Sequence, residues 1–154
     1  PNGQSVDSDK YVYKLAWLAH LRDYLQAELA EHPYLAVVGD FNIAPDDRDV
    51  HDPAAWAGQV LCSEPERAAL QRLLDLGLAD SLRLHEQGGG IYSWWDYRMM
   101  AFRRKRGLRI DLILVNPALA ERCVESRVDP TPRGWERPSD HAPVIARFEG
   151  LGLG

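Results

Sequence analysis

Leu35-Ala36-Val37-Val38-Gly39-Asp40-Phe41-Asn42 is the stretch on which the architecture turns. Its first four residues form a continuous apolar run, the pattern of a strand buried on both faces, and Gly39 stops it. Asp40 and Asn42 then stand at the strand's C-terminal edge, where α/β sheets form clefts. Upstream, Ser8 or Asp9 can cap a helix in which Tyr11, Leu15, Leu18, Leu21, Leu25 and Leu29 recur at three- and four-residue spacing, and Pro33 ends it. Downstream, residues 40–58 are rich in Asp, Pro and Ala without periodicity and read as a long surface loop.

Further along, Ser63 with Glu66 three residues later makes a capping box for a helix carrying Ala69, Leu70, Leu73 and Leu74, which Gly77 can terminate. Tyr92–Trp95 suggests a strand after Gly88-Gly89-Gly90. Leu108, Ile110, Leu112 and Leu114 alternate with Arg109, Asp111, Ile113 and Val115, which predicts one long strand. Two more strands are expected at Cys123–Val128 and Val144–Phe148, separated by the turn-rich 129–138 segment. Helices and strands alternate without repeats, so the class is α/β (or α+β) with a mixed sheet.

The chain has 154 residues, 45% of them hydrophobic, enough for one domain that buries roughly 70% of its unfolded surface. A net charge of -5 and a pI near 5.5 exclude general attraction to a polyanion, so any such binding must come from a local basic patch or a metal. Cys62 and Cys123 lack the spacing of a zinc site or a disulfide framework, which fits a reducing cytoplasm. No apolar run approaches the roughly 20 residues of a membrane span, and no signal peptide opens the chain. Pro1-Asn2-Gly3-Gln4 reads as a loop, which suggests that an upstream portion is absent.

Three short elements could carry chemistry. In Gly39-Asp40-Phe41-Asn42, a carboxylate can accept a proton from water, and an amide two residues on points to the same side; an Asx-turn is the plainer alternative. Asp111, flanked by Ile110 and Leu112, must be paired if buried, or else is an exposed polar residue on a half-buried strand. In Ser139-Asp140-His141-Ala142-Pro143, a histidine oriented by a carboxylate can donate to a phosphate oxygen while Asp140 faces a metal.

From Arg98 to Arg109 there are six basic residues, Arg98, Arg103, Arg104, Lys105, Arg106 and Arg109, and no acidic one. They follow Ser93-Trp94-Trp95-Asp96-Tyr97, so stacking faces lie beside charges, the combination expected of nucleic-acid contact. The alternative is an aromatic core strand followed by a solvated basic loop. His20, His32 and His85 read as helix and connection residues. His51 lies among Asp46, Asp47, Asp49 and Asp52, a stretch without the ligand order of a calcium loop and better read as solvated acidic surface.

Taken together, GDFNIAP, SWWDYR, GLRIDLIL and SDHAPV resemble the exonuclease III family of AP endonucleases, within the endonuclease/exonuclease/phosphatase superfamily, over nearly the whole chain. The resemblance implies the C-terminal portion of a four-layer α/β sandwich with two packed mixed sheets, spanning residues 1–149 as part of a single domain, with 150–154 a flexible tail. It implies a magnesium-dependent DNA phosphodiesterase of base-excision repair, with manganese as a second candidate metal, acting on double-stranded DNA at abasic sites and 3′ ends. Asp40 would be the general base, Asn42 would align nucleophile and phosphate, and Asp111 would orient His141. Asp140, with Asp40 and Asn42, would act at or near the metal. Trp94, Leu108 and Ile110 match a pocket for an abasic sugar, Arg98 a position that probes the duplex, and Arg103, Arg104 and Lys105 add phosphate contacts.

The family's further asparagine, metal-binding glutamate and tyrosine lie in an N-terminal portion without counterpart here. The chain alone is therefore expected to be inactive or very weak and to self-associate, and the complete protein to be a monomer. A bacterial-type, cytoplasmic, nucleoid-associated protein is implied. The competing expectations are a phosphoinositide phosphatase or sphingomyelinase of the same superfamily, and a non-catalytic DNA-binding fragment.

Overall fold

The computed structural model describes residues 1–152. Helix α1 (Asp9–Glu31) begins where the Ser8 side chain accepts from Tyr11 N–H, and ends where the His32 N–H returns to Glu28. Helix α3 (Glu64–Leu74) starts at the Ser63–Glu66 capping box, which is present as expected, with Gly77 beyond its end at φ 106°. The two helices pack together on one side of a sheet. Leu18 and Leu25 of α1 meet Leu70 and Leu73 of α3, together with Phe41, Ile43, Leu112 and Leu114. Burying each such side chain contributes about 1.5–3 kcal/mol.

Strand β1 (Ala36–Asp40) pairs with β5 (Asp111–Val115), and β5 pairs on its other edge with β2 (Ala79–Asp80). Val37 lies opposite Leu114 and Asp40 opposite Asp111. Because side chains alternate across a strand, Val37, Leu112 and Leu114 face the helices while Val38, Asp40, Asp111 and Ile113 share the other face. The helical layer thus fixes the sheet, and the sheet presents two carboxylates on its far side.

Two further pairs complete the set: β3 (Trp94–Trp95) with β4 (Gly107–Leu108), and β6 (Cys123–Val128) with β7 (Val144–Phe148). The short helices α2 (Pro53–Trp56) and α4 (Pro117–Ala120) lie in connections. The α/β class holds, with every ladder among the described residues antiparallel. Of the expected tail, Gly150 accepts a hydrogen bond from Arg122, and residues 153–154 lie outside the described residues.

Three local expectations are corrected. β1 is not buried on both faces: Val37 packs on the helical cluster, whereas Val38, on the opposite face, is 66% exposed. Residues 40–58 are a surface loop only in part: residues 52–55 and 57–58 are exposed and Asp47 and Asp52 are solvated as expected, but the first half turns inward. Ile43, Ala44, Asp49 and Val50 are buried, and the Asp49 carboxylate accepts from Arg109 Nε at 2.7 Å and Arg83 Nη2 at 2.6 Å, which pairs the charge that burial would otherwise penalise. The strand predicted over 108–115 breaks at Arg109–Ile110. There the Arg109 N–H goes to the Asp49 carbonyl and the Ile110 N–H to Ser93 Oγ, so neither continues a ladder.

Candidate active site

Asp40 ends β1, and the chain turns at once through Asn42, whose φ of 52° is left-handed. Asparagine tolerates that region because its short polar side chain can bond locally. The turn closes on the Asx bond anticipated from sequence, with Asn42 N–H donating to Asp40 Oδ1 at 2.8 Å. It is held from below by Lys14, whose ammonium donates to the carbonyls of Asn42 at 2.5 Å and Asn2 at 3.1 Å and to Glu66. Lys14 and Glu66 are both fully buried.

Asp111 opens β5 beside Asp40 and receives His141. Its Oδ2 accepts from His141 Nδ1 at 2.8 Å. An ionised carboxylate only accepts, so this bond places a proton on Nδ1 and turns Nε2 toward Asp40 Oδ2, 3.7 Å away, and Asp140 Oδ1, 4.0 Å away. Asp140 is oriented by the Trp94 indole, whose N–H donates to Oδ2 at 3.0 Å. Four of the five side chains the sequence singled out for chemistry, Asp40, Asp111, Asp140 and His141, therefore converge, each partly open to solvent.

The electrostatics follow from that packing. The hydrogen bond to Asp111 raises the His141 pKa above the ordinary value, against the opposing effect of burial, with Asp40 and Asp140 adding to the rise. Burial raises the pKa of Asp40, and the facing Asp111 raises it further, while the Asn42 N–H opposes both. Like charges opposite one another across a ladder are destabilising, so this face is suited to a cation. Asp40, Asp111 and His141 can each offer an atom within 4.8 Å of the others. Of these, the Asp40 and Asp111 carboxylates are the oxygen ligands that suit a hard divalent cation, whereas His141 Nδ1 is already engaged by Asp111.

The expected nucleic-acid residues divide. Arg103, Arg104 and Lys105 are exposed. Arg98 is exposed but paired with Asp96 at 2.7 Å. Trp94 packs on an apolar cluster containing Leu108 and Ile110, which are 0% and 2% exposed, so these two lie behind Trp94 rather than on the surface. The basic segment is fastened by Arg133, which stacks over Tyr97 and Phe102 and donates to the Trp95 carbonyl.

Sequence reasoning missed Lys14, Ser93 and Arg133. A signal existed for Lys14, which sits four residues before Leu18 and eleven before Leu25, on the apolar stripe of α1.

Residues 3–141 match the model of the endonuclease/exonuclease/phosphatase family. The chain belongs to this family. Its resemblance to the exonuclease III branch is borne out by relatives: exodeoxyribonuclease III of Haemophilus influenzae is 41% identical over 97% of this chain and 59% of its own length. Among solved structures, the 3′ phosphatase NExo from Neisseria bound to a product DNA hairpin is 50% identical, with a TM-score of 0.94 over 97% of this chain and 58% of that one. An AP endonuclease from Archaeoglobus fulgidus is 42% identical, with a TM-score of 0.88 over 97% of this chain and 59% of that one. The chain thus spans about three fifths of the length of each of these three. No helix of the described residues is long and apolar enough to cross a membrane.

Proposed function

We propose that these residues form the phosphate and proton-transfer part of a metal-dependent DNA phosphoesterase of the exonuclease III type, acting on 3′ ends and abasic sites. The observation that carries the reading is the arrangement of His141, bonded to Asp111 through Nδ1 and directed through Nε2 at the space beside Asp40 and Asp140. Asp40, with its raised pKa, accepts a proton from the attacking water. His141, favoured as the imidazolium because Asp111 accepts from its Nδ1, donates from Nε2 to the phosphate oxygen on which charge develops. Asn42, whose main-chain carbonyl Lys14 holds, would supply its side-chain amide to align the nucleophile and phosphate. Asp40 and Asp140 would hold a divalent cation, magnesium or manganese, which when bound neutralises phosphate charge and polarises the ester.

DNA is the substrate class supported best, because the exposed Arg103, Arg104 and Lys105 follow directly on the Trp94–Trp95 strand in an otherwise acidic chain. The activities for which two of the relatives are named, a 3′ phosphatase and an AP endonuclease, indicate which phosphoesters to test. The exonuclease III resemblance implies a further metal-binding glutamate without a counterpart among these 154 residues. The assay therefore uses the chain alone and the chain preceded by the N-terminal portion of an aligned relative, on a 3′-phosphate hairpin, abasic duplex DNA and inositol phosphates. Metal-dependent turnover of the DNA substrates by the extended form supports the proposal; turnover of inositol phosphates alone rejects it.

A further inference from the structure

Ser93 has no exposed surface, and its N–H, its carbonyl and its hydroxyl oxygen each bond to another segment. Its N–H donates to the Leu108 carbonyl at 2.9 Å, and its carbonyl accepts from Ala142 N–H at 2.7 Å. Its hydroxyl oxygen accepts from two successive peptides, Ile110 N–H and Asp111 N–H, each at 3.0 Å. A serine oxygen has two acceptor lone pairs, so these two bonds fill it. No other residue type of this size offers the same double acceptor to a strand break.

We propose that Ser93 is a positioning residue that sets the spacing of the Asp111–His141 pair. One side of it holds the peptide of Asp111 itself, and the other holds the peptide that follows His141. The neighbouring residue extends the jig, since Trp94 bridges to His141 and its indole holds Asp140. The same break is tied to the end of β1, because the Ile110 carbonyl accepts from Phe41 N–H at 3.0 Å. Thus one buried hydroxyl fixes where Asp111 enters the sheet, and the main chain of the same residue fixes where His141 arrives. The segment read from sequence for its stacking faces is, at Ser93, a spacer between two distant parts of the chain.

Removing the hydroxyl leaves the Ile110 and Asp111 N–H groups buried without an acceptor, and they regain partners only if the 109–111 peptides shift. A shift there moves the Asp111 carboxylate away from the His141 Nδ1 that it meets at 2.8 Å. The proposal rests on Asp111 and His141 being partners in the site. Its test reads that pair directly and needs no turnover, so it can fail while the proposed reaction stands, and the reverse.

The test is proton NMR of the 154-residue chain, following the downfield His141 Nδ1–H resonance and the exchange of the Ile110 and Asp111 amides. Asp111→Asn identifies the resonance by abolishing it. In Ser93→Ala the resonance is lost and both amides exchange at least about tenfold faster, while amides of α1 keep their protection. Ser93→Thr, which retains an Oγ acceptor, keeps the resonance. Should Ser93→Ala fail to fold, Ser93→Cys, with its weak sulfur acceptor, gives the same loss. The proposal is overturned if folded Ser93→Ala or Ser93→Cys keeps the Nδ1–H resonance, whether or not the amides accelerate, or if folded Ser93→Thr loses it.

Discussion

His141 Nδ1 lies 2.8 Å from Asp111 Oδ2, and through that bond a carboxylate on β5 governs a ring that arrives from the connection before β7. Asp111→Asn replaces the acceptor with a group that cannot balance the imidazolium charge. The raised His141 pKa then falls toward or below the ordinary value of about 6.5. Following the His141 ring resonances against pH in both proteins checks this, and an unchanged midpoint would show that the bond does not control the ring.

Stability should carry the same signature. The folded-state pKa of His141 is raised, so the pair's contribution is fully present below the unfolded value of about 6.5 and is lost as pH rises through the folded value. Asp40, also raised, acts in the same direction, because its ionisation costs more in the folded state. Urea denaturation of wild type and His141→Gln at a series of pH values is expected to show the wild-type advantage shrinking as pH increases. An advantage that grows instead would contradict the assignment.

Lys14 and Glu66 form a buried ion pair under the Asn42 turn. Removing one partner strands the other, so Lys14→Met should destabilise by about 3–5 kcal/mol. Replacing both, as Lys14→Met with Glu66→Leu, should recover much of that loss, since apolar replacement of a buried pair is often neutral. Equal losses in the single and double variants, measured by denaturant unfolding, would mean that the pair is not the unit that matters.

For the exposed basic segment, replacing Arg103, Arg104 and Lys105 with alanine should weaken binding to a DNA hairpin without altering the fold. The slope of log K against log salt should become shallower by about 0.9 for each phosphate that these side chains neutralise. Binding and salt slope identical to wild type would remove this segment from the interface.

Much of this architecture is written in local pattern. The Ser8 and Ser63 caps, the Asp40–Asn42 turn, and the alternation that separates Leu112 and Leu114 from Asp111 and Ile113 all depend on neighbours in sequence, which is why they could be read. What escaped is polar and buried. Asp49 looked like one of several solvated acids because its partners, Arg83 and Arg109, lie 34 and 60 residues away. Ser93 and Lys14 likewise satisfy groups that only the folded chain brings to them. β1 misled in the opposite sense: an apolar run reports that cover is favourable, not which face receives it among the described residues.

The most direct test of the site is hydrolysis of a 3′-phosphate DNA hairpin by the chain preceded by an aligned relative's N-terminal portion, with and without magnesium. The wild type should release phosphate only with the metal, and Asp40→Asn and His141→Ala should each lower the rate by about 10²–10⁴-fold. Release that persists without a divalent metal, or that survives Asp40→Asn undiminished, would contradict the proposed chemistry.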